Sequence, residues 1–256
     1  MDAESPATTI GETRESLHRA RGAATFEEVG VRVLGRSLSV RVWSPGDGNL
    51  PLLLAHDGPE YDAQAKLTRY AATVIRRGAV APFRVALLPP GDRNEWYSAS
   101  ANYGRTLCER ILPAIAEHVD VAGPPVGMGA SLGALAMLQA QRAWPGTFAG
   151  LFLQSGSFFV PRFDRHESGF PRYGRIVRFV RGVLRAGAPE DPIPVTMTCG
   201  AEEENVHNNR VMAAALVGQG YPASLAETAG GHDWANWRDA LDPHLTGLLK
   251  GLWPGR

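Results

Sequence analysis

Val126-Gly127-Met128-Gly129-Ala130-Ser131-Leu132-Gly133-Ala134-Leu135-Ala136 decides how this chain folds. An apolar run from Pro125 to Met128 reads as a strand, and the small-residue stretch from Leu132 to Ala143 reads as a helix. Between them, Gly129-Ala130-Ser131-Leu132-Gly133 matches G-x-S-x-G. A strand that turns this sharply into a helix forces its central serine into strained dihedrals, and small neighbours are needed to avoid clashes. Ser131 is therefore the candidate nucleophile.

The same alternation continues on both sides of this turn. Val29 to Val33 and Ser37 to Val42 read as antiparallel strands joined at Gly35-Arg36. Pro51 to Ala55 and Arg84 to Leu88 are continuous apolar runs, the mark of strands buried on both faces. Gly150 to Gln154, Ile193 to Cys199 and Ala223 to Glu227 complete the strand set. Helices are expected at Leu67–Arg77, Tyr103–His118, Arg172–Arg185, Asn205–Gly218 and Trp234–Gly251. In Tyr103–His118, Leu107, Ile111 and Ile115 recur at helical spacing, with Val119 next in the series. Strands alternating with helices predict an α/β fold: a three-layer sandwich with a mostly parallel central sheet covered on both faces. Ligands of such sheets bind beyond the carboxyl ends of the strands. Residues 1–22 read as a flexible N-terminal lead-in and 23–256 as a single domain.

Composition narrows the function classes. The 256 residues are 44% hydrophobic and 20% charged, an ordinary globular balance. With 26 basic and 26 acidic side chains the formal charge is zero, which gives no reason to expect nucleic acid or a membrane as partner. The two cysteines, Cys108 and Cys199, read as small buried hydrophobes, and no Cys/His spacing resembles a zinc site. No cofactor and no metal are expected. Met1 to Arg21 carries no apolar stretch of signal-peptide length, so the expected compartment is the cytoplasm.

A serine hydroxyl needs a base. His232, in Gly230-Gly231-His232-Asp233-Trp234, follows the last strand and precedes the last helix, where the third member of the order Ser, acid, His belongs. The acid should follow the strand Ile193 to Cys199, where Glu202, Glu203 and Glu204 stand in succession. The usual position, three residues after the strand-ending Gly200, favours Glu203; Glu202 and Glu204 stay open.

With these residues in view, the chain resembles the esterase family of enterochelin esterase-like and esterase D-type serine hydrolases, which have the α/β-hydrolase fold. The family includes feruloyl and acetylxylan esterases, S-formylglutathione hydrolases and mycolyltransferases. The likeness covers roughly residues 25–250 and rests on five segments. They are Leu52 to Gly58 (LLLAHDG), Arg93-Asn94-Glu95-Trp96, the elbow, Cys199-Gly200-x-x-Glu203, and Gly231-His232-Asp233-Trp234-x-x-Trp237-Arg238. The resemblance implies carboxylic ester hydrolysis with Ser131, Glu203 and His232 as the triad. It also implies two departures: neither the additional N-terminal sandwich domain of full-length enterochelin esterases nor the secretion signal of other members is expected. A third departure is Pro59, which stands where some members donate a backbone N–H to the oxyanion hole, and proline has none. Leu132 N–H is then one oxyanion donor, and Gly58 is favoured over Glu60 and Tyr61 as the second.

Substrate-binding candidates are Tyr61, Arg93, Trp96, Phe158 and Trp234. Phe158, Phe159, Phe163, Phe170 and Tyr173 form either an aromatic pocket or a small core under a loop. Arg172, Arg175, Arg178, Arg181 and Arg185 make a helix-face stripe, either solvated or a cationic rim for an anionic substrate. Arg93 and Glu95 line the cleft or form an ion pair. The expected partner is a small-molecule ester, anionic or aromatic, and a homodimer stays open. Two other functions compete with hydrolysis: acyl transfer through the same triad, and non-catalytic binding on the same fold.

Overall fold

The computed structural model describes residues 24–255; the lead-in expected over residues 1–22 lies outside them. In chain order the elements are β1 (Thr25–Val33), β2 (Arg36–Ser44), β3 (Leu52–His56), α1 (Gly58–Ala65), α2 (Leu67–Arg76), β4 (Arg84–Leu88), α3 (Arg93–Trp96), α4 (Ala101–Thr106) and α5 (Leu112–His118). They continue with β5 (Val126–Ala130), α6 (Leu132–Ala143), β6 (Gly150–Gln154), α7 (Tyr173–Arg185), β7 (Val195–Gly200), α8 (Val206–Gly218), β8 (Ala223–Thr228), α9 (Trp234–Asp239) and α10 (Thr246–Leu252).

The strands form one eight-stranded sheet in the order β1-β2-β4-β3-β5-β6-β7-β8. β1, β2 and β4 pair antiparallel in succession, and every pairing from β4 through β3 to β8 is parallel. This is the mostly parallel sheet that the alternating pattern predicts, in keeping with the α/β-hydrolase fold that the resemblance implies. β3, β4, β5 and β6 are buried at every position, which explains their unbroken apolar runs. β1 instead alternates, turning Val29, Val31 and Val33 inward and its charged residues to solvent. Two apolar cores follow, one on each face. Leu107, Ile111, Leu135, Val180 and Met212 belong to the first; Tyr61, Leu67, Val74, Trp237 and Leu249 belong to the second. Each fully buried Leu or Val contributes about 1.5–3 kcal/mol relative to exposure.

Four of the differences from the sequence expectation have an identifiable local form. Val33 pairs with Arg36, so the hairpin turn is Leu34-Gly35 rather than Gly35-Arg36. The helix α1 was not foreseen; Asp57 adopts a left-handed φ of 50° and Pro59 sits in the first turn, where a missing N–H costs no helical bond. The helix expected from Tyr103 to His118 begins two residues earlier and widens into a π-helical bulge at Leu107–Ile111. The helix expected from Trp234 to Gly251 is interrupted at Asp242, whose φ of −119° and ψ of 118° are extended. Pro243 explains the break, because the residue before a proline is pushed out of the helical region.

Candidate active site

The parallel strands end on one edge, and there the loops after β3, β5, β7 and β8 converge. Ser131 directly follows β5 and has φ 56° and ψ −122°, a region an L-residue occupies only when its surroundings enforce it. Close packing supplies that enforcement. A Cβ on Gly129 would stand 2.5 Å from the Gly133 carbonyl carbon, so β5 and α6 approach at backbone distance. His56, at the end of β3, locks the turn from the other side. It is fully buried; Nδ1 bonds the Gly133 carbonyl at 3.0 Å and Nε2 meets the Tyr103 hydroxyl at 2.8 Å. Burial lowers its pKa to about 4, with Arg93 adding to the effect, so at neutral pH it is an uncharged strut donating from Nδ1 and accepting at Nε2.

Of the three successive glutamates, Glu203 is the one held against His232. Its Oε2 lies 2.7 Å from His232 Nδ1, while Oε1 accepts from Ser155 Oγ and from the Gly200 amide, each at 2.7 Å. The Glu203 side chain is 1% exposed and that of His232 is 40% exposed, so the carboxylate is enclosed while the imidazole meets solvent. Burial pushes the Glu203 carboxyl up, but the bonds from His232, Ser155 and Gly200 outweigh it and hold the pKa below the ordinary value. Glu202 is exposed, and Glu204 turns instead to His166 at 2.9 Å. Close approach again explains a glycine: a Cβ on Gly200 would stand 2.0 Å from the Gly230 carbonyl oxygen, so the loops that carry Glu203 and His232 touch at this point.

Ser131 and His232 open onto one cleft of about 350 Å³. Leu132, whose N–H opens α6 and lacks an acceptor within the helix, lies on its wall. Ser157 lies there too, with Oγ 3.1 Å from Ser131 Oγ. A hydroxyl on a strained turn and an imidazole thus share one cleft, with an enclosed carboxylate bonded to the imidazole.

The family model described as "Putative esterase" matches residues 32–248. The chain belongs to this esterase family. Among curated relatives, the iron(III) enterobactin esterase of Dickeya dadantii (strain 3937) is 29% identical over 225 residues, 78% of this chain and 48% of that protein. The chain therefore spans about half the length of that curated relative. Among solved structures, the enterobactin esterase FES from Shigella flexneri in the presence of enterobactin superposes with a TM-score of 0.77 at 20% identity, over 91% of this chain and 60% of that one. The Staphylococcus aureus fluorophosphonate-binding serine hydrolase FphF gives 0.66 at 16% identity, over 89% of this chain and 99% of that one. At such identities the structural likeness is one of fold.

The remaining expected site residues are distributed unevenly. Arg93 lies on the cleft wall, and its guanidinium grips Asp57 through contacts of 2.9 to 3.1 Å. Burial works against the Arg93 charge, but Asp57 outweighs it and raises the pKa. Tyr61, Trp96 and Phe158, expected at the substrate, are buried and are not among the residues on the cleft wall. Tyr61 donates to Gln154 Oε1 at 2.8 Å, Trp96 stacks on Tyr103 with ring centres 5.6 Å apart, and Phe158 fills the first core. Trp234, half-buried, packs its ring against Tyr61 and Trp237. Gly58 is buried in the first turn of α1 and is not among the residues on the cleft wall.

The aromatics of the cleft are Phe159 and Phe170, with rings 6.1 Å apart and edge-on. Arg93 and Glu95 do not pair; Glu95 instead takes both Arg172 and Arg175 of the expected stripe. None of the five stripe arginines lines the cleft. Among the described residues, His166, Glu167 and Glu204 bring ligand-type atoms within 4.8 Å of one another, the one grouping with metal-ligand spacing. Sequence reasoning passed over Ser157 and Asn205 of the wall, whose signal is only their place just after β6 and just before α8. No helix among the described residues is long and apolar enough to cross a membrane.

Proposed function

We propose that the protein is a serine carboxylic ester hydrolase working through an acyl-enzyme, with Ser131 as nucleophile, His232 as general base and Glu203 as its orienting acid. The observation that carries this reading is the 2.7 Å contact between His232 Nδ1 and a Glu203 carboxylate that is otherwise enclosed. With its proton on Nδ1, the imidazole presents a lone pair on Nε2 to the cleft, and Nε2 takes the Ser131 proton as the hydroxyl attacks the ester carbonyl. The Leu132 N–H, at the start of α6 on the cleft wall, faces the developing oxyanion. One such donor is worth about 2.7–4 kcal/mol of transition-state stabilisation. The protonated imidazole then gives its proton to the departing alcohol, and water repeats the sequence on the acyl-enzyme.

The exposure of His232 favours hydrolysis over acyl transfer, because water reaches the base freely. The substrate is an ester whose acyl or alcohol group lies against Phe159 and Phe170. Enterobactin, named for the relatives, is one candidate for a panel of such esters. The test is stopped-flow turnover of a 4-nitrophenyl ester. A burst of nitrophenol followed by slow turnover, absent in Ser131→Ala, is the expected result. Equal turnover by Ser131→Ala would overturn the assignment.

A further inference from the structure

The charges on the cleft wall are acidic, not basic. Glu167 and Glu204 both line it, and the one arginine there, Arg93, is committed to Asp57. His166 Nε2 lies between the two carboxylates, 2.9 Å from Glu204 and 3.8 Å from Glu167. One imidazole carries at most one positive charge, so at least one of the two negative charges is uncompensated in either protonation state. None of the arginine stripe is on this wall, and Arg172 and Arg175 turn to Glu95 instead. The faces and edges of Phe159 and Phe170 share the wall with these carboxylates. Carboxylates beside aromatic rings attract organic cations, through Coulomb attraction and the negative faces of the rings.

We infer that the substrate of this cleft is an ester bearing an organic cation, an ammonium or guanidinium group, placed between Glu167, Glu204 and the Phe159–Phe170 pair. The inference rests on the serine-esterase reading and names the substrate class of that same site. An organic cation fits better than a metal ion, because the aromatic half of the wall offers a metal nothing. The same balance disfavours anionic esters, the opposite of what the arginine stripe implies in the sequence.

The test compares esters carrying a trimethylammonium group on the acyl side or on the alcohol side, each with its uncharged tert-butyl isostere. In at least one pair the cationic member should show kcat/KM higher on the order of tenfold at low salt. That ratio should shrink as salt rises and approach one in the Glu167→Gln/Glu204→Gln double variant. A ratio does not depend on how much of the variant folds. Hydrolysis of the neutral isosteres with no cationic preference in either pair would overturn the inference while leaving the esterase reading intact. A preference that survives the double variant would also overturn it. If neither member of a pair is turned over, the esterase reading fails, and calorimetry with phenyltrimethylammonium decides separately. Binding lost in the double variant supports the cation site; no binding, or binding of Zn²⁺ alone, contradicts it.

Discussion

Trp237 Nε1 donates to Ser155 Oγ at 3.0 Å, and the same hydroxyl donates to Glu203 Oε1 at 2.7 Å. The Trp237 ring also meets the His232 imidazole edge-on, with centres 5.1 Å apart. One indole therefore braces both Glu203 and His232, the first through a hydroxyl and the second by direct packing. The relay joins the end of β6, the loop after β7 and α9, so its parts are far apart in sequence.

Removing the relay hydroxyl should loosen the carboxylate without removing it. Ser155→Ala leaves Glu203 with the Gly200 amide and His232 as donors. The expected loss in kcat is about tenfold, the size of one hydrogen bond in the transition state, with KM little changed. Trp237→Phe, which keeps an aromatic ring but drops the N–H, should act in the same direction. Steady-state kinetics on a neutral ester check both; a change confined to KM would contradict the bracing role.

The three glutamates should separate sharply. Glu203→Gln keeps the shape but lets the imidazole take the wrong tautomer, and kcat should fall by about 10⁴-fold. Glu202→Gln should leave ester turnover within about twofold, since that side chain is exposed. Comparable losses in the two variants would remove Glu203 from its role.

His56 makes the fold sensitive to moderate acid. Its folded pKa of about 4 lies below the ordinary value of 6.5, so the unfolded chain binds the proton first as pH falls. The neutral strut's contribution is complete above pH 6.5 and is lost progressively down to about pH 4, a span worth about 3 kcal/mol. Denaturant unfolding across that range should show the decline in the wild type. In His56→Gln, whose amide does not titrate, the slope over this window should be smaller; an unchanged slope would assign the decline elsewhere.

The elbow should not accept a larger residue at Gly129. A Cβ there meets the Gly133 backbone at 2.5 Å, and main chain cannot rotate away as a side chain can. Gly129→Ala should cost about 1–3 kcal/mol of stability and displace Ser131. Thermal melts and ester turnover measured together check this; a variant as stable and active as wild type would contradict the close approach.

Much of this was legible in the sequence because the signals are local. The strand-turn-helix around Ser131 is written within eleven residues, and Gly200, Glu203, Gly230 and His232 sit next to strands that their own apolar runs mark. The parallel sheet follows from unbroken apolar runs at β3 to β6. Less legible were features set by distant contacts. Tyr61, Trp96 and Phe158 have the chemistry of binding residues but fill the interior, because their partners Gln154, Tyr103 and the first core come from elsewhere in the chain. Ser155 meets Trp237 across 82 positions, with no spacing to reveal it. The helix α1 was hidden by Pro59, which reads as a breaker until its first-turn position is known.

Covalent labelling of Ser131 reaches the central assignment most directly. The protein is incubated with a fluorophosphonate, digested and examined by mass spectrometry, beside Ser131→Ala and Glu203→Gln. Serine-esterase chemistry predicts one adduct, on Ser131, formed much more slowly in Glu203→Gln and absent in Ser131→Ala. An adduct on another residue, or equal labelling of Ser131→Ala, would contradict it.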